Sequence, residues 1–477
     1  MQSLTNQLGA MLQKRRAPII EFNRVSFVIG IMLLVLTVFM FPPAVTDIIA
    51  SNPDWQVFAG SAFVTGFIGM MLVMMSRGRW SNEVSLKEGF LLTVLSWVVL
   101  ATFAAMPFVF LGSGLSLIDA WFEAVSGLTT TGSTVMTGLD ELPPGILLWR
   151  SIIQWIGGIG IVVMALIMLP FLKVGGMQLF QTENSDRTDK FLPRAREVMG
   201  LIAFTYLALT ATCAVAYGFA GMNGFDALNH AMTTVATSGF STHDASFGYF
   251  KEAAIHWVAF VFMFASSLPL VLYVKAVKTG SLRAFDDQQV RGFCKMVGFI
   301  LIGLTLWLAT RPEITLADAL LTVCFNAMAI ISTTGYSSGD YTAWGTGAAG
   351  AFFVLMFLGG CTGSTTGGMK TFRLQVMLLS AYNYIKQLMS PNRVVVSTYN
   401  GKQITADITT SVLAYLSVMF ASVMMFTVAL SFFDLDFITS LSGALTALAN
   451  VGPALGPQIG PAGNFGGLPD GAKLILI

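Results

Sequence analysis

Charge is what this 477-residue chain has least of. Only 11% of its residues are Asp, Glu, Lys or Arg, against about 25% in an ordinary soluble domain, while 55% are apolar. That balance excludes a soluble globular fold. Cysteine is equally scarce: Cys213, Cys294, Cys324 and Cys361 have no metal or redox spacing, and three of them lie in apolar runs, so they are expected as small core residues. The three histidines, His230, His243 and His256, are scattered and lack the spacing of metal ligands. A cleavable leader is not expected either, because the first apolar run starts near Phe27, is long, and ends at Pro42-Pro43 rather than at a small-residue site. The polar segments hold no catalytic constellation, no acidic residue stands out inside a spanning run, and neither enzyme activity, a cofactor nor a nucleic-acid partner is expected. A net charge of +1 says little by itself.

What the chain does have is a series of apolar runs near the roughly 20 residues that cross a bilayer. A polar N-terminus (1–24) with Lys14-Arg15-Arg16 precedes a leading transmembrane hairpin (25–79). A unit then recurs: a long apolar helix, an apolar segment of about 11–15 residues, a Thr/Gly loop, and a long return helix. The repeats occupy 87–175, 196–280, 291–390 and 404–477. Their short segments, near 118–128, 225–235, 317–331 and 437–448, are too short to span and fit re-entrant helices. Irregular backbone at membrane depth is tolerated only when buried or lining water. The expected fold is an all-α polytopic membrane protein, a hairpin followed by four pseudo-symmetric helix–pore-helix–loop–helix repeats around a central pore.

The four loops carry the chemistry. They read Thr129-Thr130-Thr131-Gly132-Ser133, Thr237-Ser238-Gly239-Phe240, Thr333-Thr334-Gly335-Tyr336 and Asn450-Val451-Gly452-Pro453, each with an alanine eight residues before the glycine (Ala124, Ala231, Ala327, Ala444). A single copy reads as a turn leaving a membrane helix; four in register read as quarters of a cation filter. A cation stripped of water needs replacement oxygens, which rings of backbone carbonyls supply. Gly132, Gly239, Gly335 and Gly452 would permit the required dihedrals. The residues before them would present the oxygens: Thr130 and Thr131, Thr237 and Ser238, Thr333 and Thr334, Asn450 and Val451. The fourth quarter departs most from the pattern.

A second stretch, Gly359-Gly360-Cys361-Thr362-Gly363-Ser364-Thr365-Thr366-Gly367-Gly368-Met369-Lys370, interrupts the third return helix. Glycines cost a helix about 1 kcal/mol each relative to alanine, so the helix is expected to break, and a flexible loop at 359–368, followed by Lys370 and Arg373, reads as a gate. It is not a nucleotide-binding loop, since Met369 intervenes before Lys370. Gly157, Gly158 and Gly160 suggest close helix packing. Arg150 either binds a carboxylate or snorkels.

With a cytoplasmic N-terminus, only Arg150, Lys251, Arg311 and Lys473 fall outside, leaving 22 of the 26 basic residues inside. Fifteen of the 25 acidic residues then face outward. They could concentrate cations, or merely reflect the easier export of acids; Asp119, Glu123, Asp226 and Asp318 would also complement pore-helix N-termini. The basic inner loops (173–196, 275–295, 386–402) could dock an acidic partner or anchor to anionic lipid.

These loops, the helix–pore–helix units and Gly-Cys-Thr-Gly-Ser-Thr-Thr-Gly-Gly-Met-Lys-Thr-Phe-Arg together resemble the Trk/Ktr/HKT superfamily of cation transporters, and the extra hairpin makes the chain more similar to its bacterial TrkH type. The resemblance implies a potassium-uptake membrane subunit in the bacterial inner membrane. It also implies a homodimer with one pore per subunit, gated by a cytosolic nucleotide-binding ring of the TrkA kind. Potassium is then substrate, bound at the filter only. Glycine in all four loops matches potassium-selective members. The resemblance further implies a last helix continuing beyond Ile477 with a gate-facing arginine, so the sequence is expected to be truncated there. Passive gated conduction is the first reading; symport with a proton or sodium is the alternative, which would need a buried mid-membrane acid.

Overall fold

The computed structural model describes residues 21–76, 86–112, 114–168, 191–390, 392 and 398–477. The basic clusters at 14–16 and 77–79 and most of the loop at 173–196 lie outside the described residues. The fold is helical; a two-residue antiparallel pair, Thr398–Tyr399 with Lys402–Gln403, is the sole sheet among the described residues.

The leading hairpin is α1 (Phe22–Phe39), α2 (Phe41–Ile49) and α3 (Trp55–Met75). Pro42-Pro43 does not end the first span. Both prolines sit in the first turn of α2, where a missing N–H costs nothing, and Phe22–Ile49 reads as one 28-residue span. Asp47 is a fully buried acid near the end of that span, and its Oδ1 accepts a 2.7 Å hydrogen bond from the Gly145 amide.

The first repeat comprises α4 (Leu86–Ala104), α5 (Met106–Phe110), α6 (Leu117–Leu128) and α7 (Pro144–Met168). The second has α8 (Phe191–Phe219), α9 (Gly224–Ala236), α10 (Ala253–Ser266) and α11 (Leu270–Thr279); the last two meet at 87°. Pro269, just before α11, cannot continue the α10 ladder. The third repeat has α12 (Gln288–Leu308), α13 (Leu316–Ile331), α14 (Thr346–Leu355) and α15 (Thr371–Met389). The fourth has α16 (Ala406–Ser431), α17 (Phe437–Ala449) and the short α18 (Asp470–Leu476).

Among the described residues, six helices are long and apolar enough to cross a membrane, and their most apolar windows are only 22–33% buried inside the protein. Most of their surface therefore faces lipid, and the chain is a multi-pass membrane protein. The short helices α6, α9, α13 and α17 take the opposite position. Their first turns are partly exposed but their C-terminal halves are mostly buried, and the four repeat alanines are at most 1% exposed. A larger side chain there would push the surrounding helices apart.

Candidate functional site

Each short helix starts on the same device. Ser116, Asn223, Thr315 and Asp436 are N-caps whose side chains accept from the backbone amide three residues on, at Asp119, Asp226, Asp318 and Thr439. In the first three the aspartate also takes a hydrogen bond from the cap, at 2.6–2.9 Å. These carboxylates lie at the positive ends of the helix dipoles. Glu123, expected with them, lies instead two turns inside α6.

The other ends converge. Three short helices close with paired bonds of the left-handed C-terminal motif. In the first, the Thr131 amide reaches Ser126 O (2.8 Å) and the Thr130 amide reaches Gly127 O (3.0 Å). Ser238 with Thr237, and Thr334 with Thr333, repeat this, while Val451 makes the longer bond to Thr446 O. The residue two before each glycine has positive φ: Thr130 63°, Thr237 54°, Thr333 53° and Asn450 62°. So do the glycines, at 84°, 80°, 78° and 103°. A threonine in this region carries roughly 1–2 kcal/mol of strain, whereas asparagine tolerates it better. The fourth loop, most divergent in sequence, thus has the same backbone with the least strained residue.

The four loops close on one another in chain order. A Cβ on Gly132 would collide with the carbonyl of Ser238, one on Gly239 with that of Thr334, one on Gly335 with that of Val451, and one on Gly452 with that of Thr131 at 2.8 Å. Each glycine thus sits against the carbonyl that precedes the next loop's glycine. Gly132, Gly239 and Gly335 keep partial solvent access while Ser238, Thr334 and Val451 are buried. Two of the eight anticipated oxygens already accept a side-chain bond, Thr130 O from Asn450 Nδ2 (3.1 Å) and Ser238 O from Gln154 Nε2 (2.8 Å). Each carbonyl has a second lone pair.

A buried polar layer holds the loops from behind. The Arg150 side chain is 1% exposed and Glu123 is fully buried; their ion pair is 2.9 Å long. Arg150 also donates to Ser241 O (2.8 Å) and Thr134 Oγ1 (3.1 Å) and lies 4.3 Å over the Phe240 ring. Glu123 accepts from Thr134 and from the Val135 amide. Arg150 therefore binds a carboxylate and ties the first loop to the second. Gln154, whose signal in the sequence is a lone amide within an apolar run, also accepts from Ser238 Oγ and the Phe240 amide. Ser133 Oγ donates to Gly452 O at 2.9 Å, joining the first loop to the fourth. Tyr336 joins the third to α9 through Thr233 and Thr234. Gly157 and Gly158 admit Leu128 O and Ala236, the ends of α6 and α9, into a notch on α7. Gly160 has only Trp97 near it, at 4.0 Å.

The 359–368 stretch lies between α14 and α15, against the converging helix ends. The Gly368 amide donates to Ala449 O (2.7 Å) and the Gly367 amide to Thr333 Oγ1 (2.6 Å). Thr365 Oγ1 donates to Val235 O (3.1 Å) and meets Thr237 Oγ1 (3.2 Å). On its other flank the Cys361 amide donates to Ser267 O and the Leu270 amide to Gly363 O, pinning the loop to the α10–α11 bend. Ser364 Oγ and Thr366 Oγ1 bond to each other, and Gly359 and Gly360 carbonyls accept from Thr371 at the foot of α15. The loop is thus hydrogen-bonded on both flanks rather than slack. Lys370 Nζ folds back onto the Thr366 carbonyl, and Arg373 lies 3.8 Å over Tyr415.

At the opposite end from this loop, His243 bridges Asp140 (2.5 Å) and Asp226 (3.2 Å) and stacks on Tyr249. Burial alone would depress its pKa, but hydrogen bonds to Asp226 and Asp140 outweigh it and hold His243 above its ordinary value. Lys473 on α18 pairs with Asp119 at 2.5 Å, clasping the last repeat to the first. Among the described residues no group of three or more His, Cys, Asp or Glu could hold a metal ion.

Residues 56–477 match the family model of TrkH, a cation transport protein. The chain is 43% identical over 468 residues to the Trk system potassium uptake protein TrkI of Halomonas elongata, covering 97% of this chain and 93% of that one. It is 33% identical over 466 residues to the Trk system potassium uptake protein TrkH of Escherichia coli K12 (96% and 95%). The crystal structure of the potassium transporter TrkH from Vibrio parahaemolyticus superposes with a TM-score of 0.87 at 31% identity, over 95% of this chain and 94% of that one.

Proposed function

Because this chain belongs to the TrkH family of cation transport proteins, a transporter family within the Trk/Ktr/HKT superfamily and not a family of enzymes, we propose that it is the pore-forming membrane subunit of a potassium uptake system. Potassium is the substrate and no cofactor takes part. The cation passes through a filter made by Thr130–Gly132, Thr237–Gly239, Thr333–Gly335 and Asn450–Gly452. The observation that carries this reading is the cyclic contact of four glycines with four neighbouring carbonyls. Oxygens held in such a ring replace a cation's water without rearranging, and the carbonyl ends of four helices add negative potential at the same place.

The loop 359–368 acts as the gate, because it occupies the converging helix ends and is tied there by hydrogen bonds that can be exchanged. Entry is passive: about 100 mV favours a cation by roughly 2.3 kcal/mol, about fifty-fold accumulation. The N-terminus is cytoplasmic and the membrane is the bacterial inner membrane, as the asymmetry of the basic residues supports. The subunit works as a homodimer with one pore per protomer, opened by a TrkA-like nucleotide-binding ring on the cytosolic side.

The test is flux of the full-length protein in liposomes under a clamped potential. Potassium current with little sodium current, and a reversal potential insensitive to proton and sodium gradients, is the expected result. Equal permeability to the two cations overturns the potassium filter. A reversal potential that follows the proton or sodium gradient replaces passive entry with symport.

A further inference from the structure

On the side opposite the four loops, a groove of about 580 Å³ opens between the first two turns of α12 and the first half of α15. Its walls are of two kinds. Arg291, Lys295, Gln288 and Gln375 supply charge and hydrogen-bond donors, and Leu378 and Leu379 supply an apolar side. Arg291 and Lys295 are four residues apart and share a face of α12. Arg291 makes one ion pair, to Asp286 at 3.5 Å, with both side chains more than 60% exposed; such a pair is weak and readily exchanged. Lys295 has no ion-pair partner among the described residues.

The same face of α12 continues as an apolar stripe. Phe299, Ile302 and Leu306 are 82%, 64% and 61% exposed, and at 100° per residue they lie within about 80° of Arg291, on the same side as Lys295. Leu378 on α15, 57% exposed, flanks it. Two cations at the head of a lipid-facing apolar stripe are the complement of one kind of molecule: a phosphate group with two acyl chains beneath it. A soluble acidic protein matches the cations but leaves the stripe uncovered.

We propose that this groove is a binding site for an anionic phospholipid. Its phosphate lies between Arg291 and Lys295, and its acyl chains run along Phe299, Ile302 and Leu378. The lipid bridges α12 to α15. Since α15 begins at Thr371, whose amide and hydroxyl bond to Gly360 O and Gly359 O, occupancy restrains the helix that hangs from the 359–368 loop. The site does not depend on which cation the four loops select.

The test is native mass spectrometry of the full-length protein with equimolar phosphatidylglycerol and phosphatidylcholine. Comparison is with the double variant R291Q/K295Q and with R283Q, an exposed basic residue outside the groove. Each basic residue near an anionic surface contributes about fivefold in affinity. Wild type and R283Q are therefore expected to retain phosphatidylglycerol over phosphatidylcholine by at least about fivefold, and the double variant to lose that preference. An equal preference in the double variant, or none in wild type, overturns the proposal. So does displacement of the lipid by millimolar inorganic phosphate, which makes the ligand a free anion. A double variant that changes oligomeric state while its lipid ratio stays fixed assigns the groove to a second copy and likewise overturns the lipid.

Discussion

A methyl group at Gly239 has nowhere to go, because it would meet the Thr334 carbonyl while the backbone sits at a φ of 80°. The conformation alone costs an L-residue roughly 1–2 kcal/mol, and the collision adds to it. Gly239→Ala is therefore expected to lower potassium flux in liposomes by tenfold or more, or to abolish selectivity against sodium. Flux and selectivity both like wild type would remove Gly239 from the conduction path. Arg150 and Glu123 give a second prediction. Removing one partner of a buried pair costs about 3–5 kcal/mol because the other charge is stranded. Arg150→Met should lower the thermal unfolding midpoint sharply, and adding Glu123→Gln should recover much of the loss. Sequence made the glycines and alanines legible, since spacing alone aligns them. It did not make the left-handed threonines legible, because nothing in Thr130 or Thr237 announces a φ that threonine usually avoids. Nor could it decide the partner of Arg150, which depends on how α6 and α7 pack.

Elements show where hydrogen bonds override composition. The run 359–368 is readable as a helix break from its glycines, but not as a loop stitched to the backbone of two other repeats, because its partners at Ser267, Val235 and Ala449 are remote in sequence. Deleting residues 362–366 is expected to raise potassium flux several-fold and leave the ratio of potassium to sodium unchanged, if the loop gates and the ring selects. A change in the ratio would assign selectivity to the loop. The bend at Pro269 and the first-turn position of Pro42-Pro43 show the same residue ending one helix and starting another; only packing decides which.

The loop around His243 carries a pH dependence. His243 is held above its ordinary value by Asp140 and Asp226. The stabilisation is thus complete below the unfolded value of about 6.5 and is lost as pH rises through the raised one. Wild-type protein should lose thermal stability from neutral toward alkaline pH more steeply than His243→Gln. Identical slopes would remove His243 from that titration.

For the whole molecule, the repeat is what the sequence disclosed best. A weak motif at intervals near one hundred residues, each copy flanked by a short and a long apolar run, is enough to predict the four-part architecture that the Vibrio parahaemolyticus TrkH crystal structure shares. What stayed hidden is how unlike the quarters are in their supports. An ion pair backs the first, a glutamine the second, a tyrosine the third and Thr446 with Ser442 the fourth. Equivalent backbones on unequal scaffolds allow one ring of carbonyls to persist while its surroundings diverge.

The central claim is that a potassium ion is bound by the four loops together. Rubidium scatters anomalously and substitutes for potassium, so crystals of the protein grown in rubidium should show an anomalous peak on the axis between Gly132, Gly239, Gly335 and Gly452. Density there in rubidium or potassium, and none when sodium replaces them, is the predicted result. Ordered loops with no peak among them, and rubidium bound elsewhere in the membrane, would contradict the account.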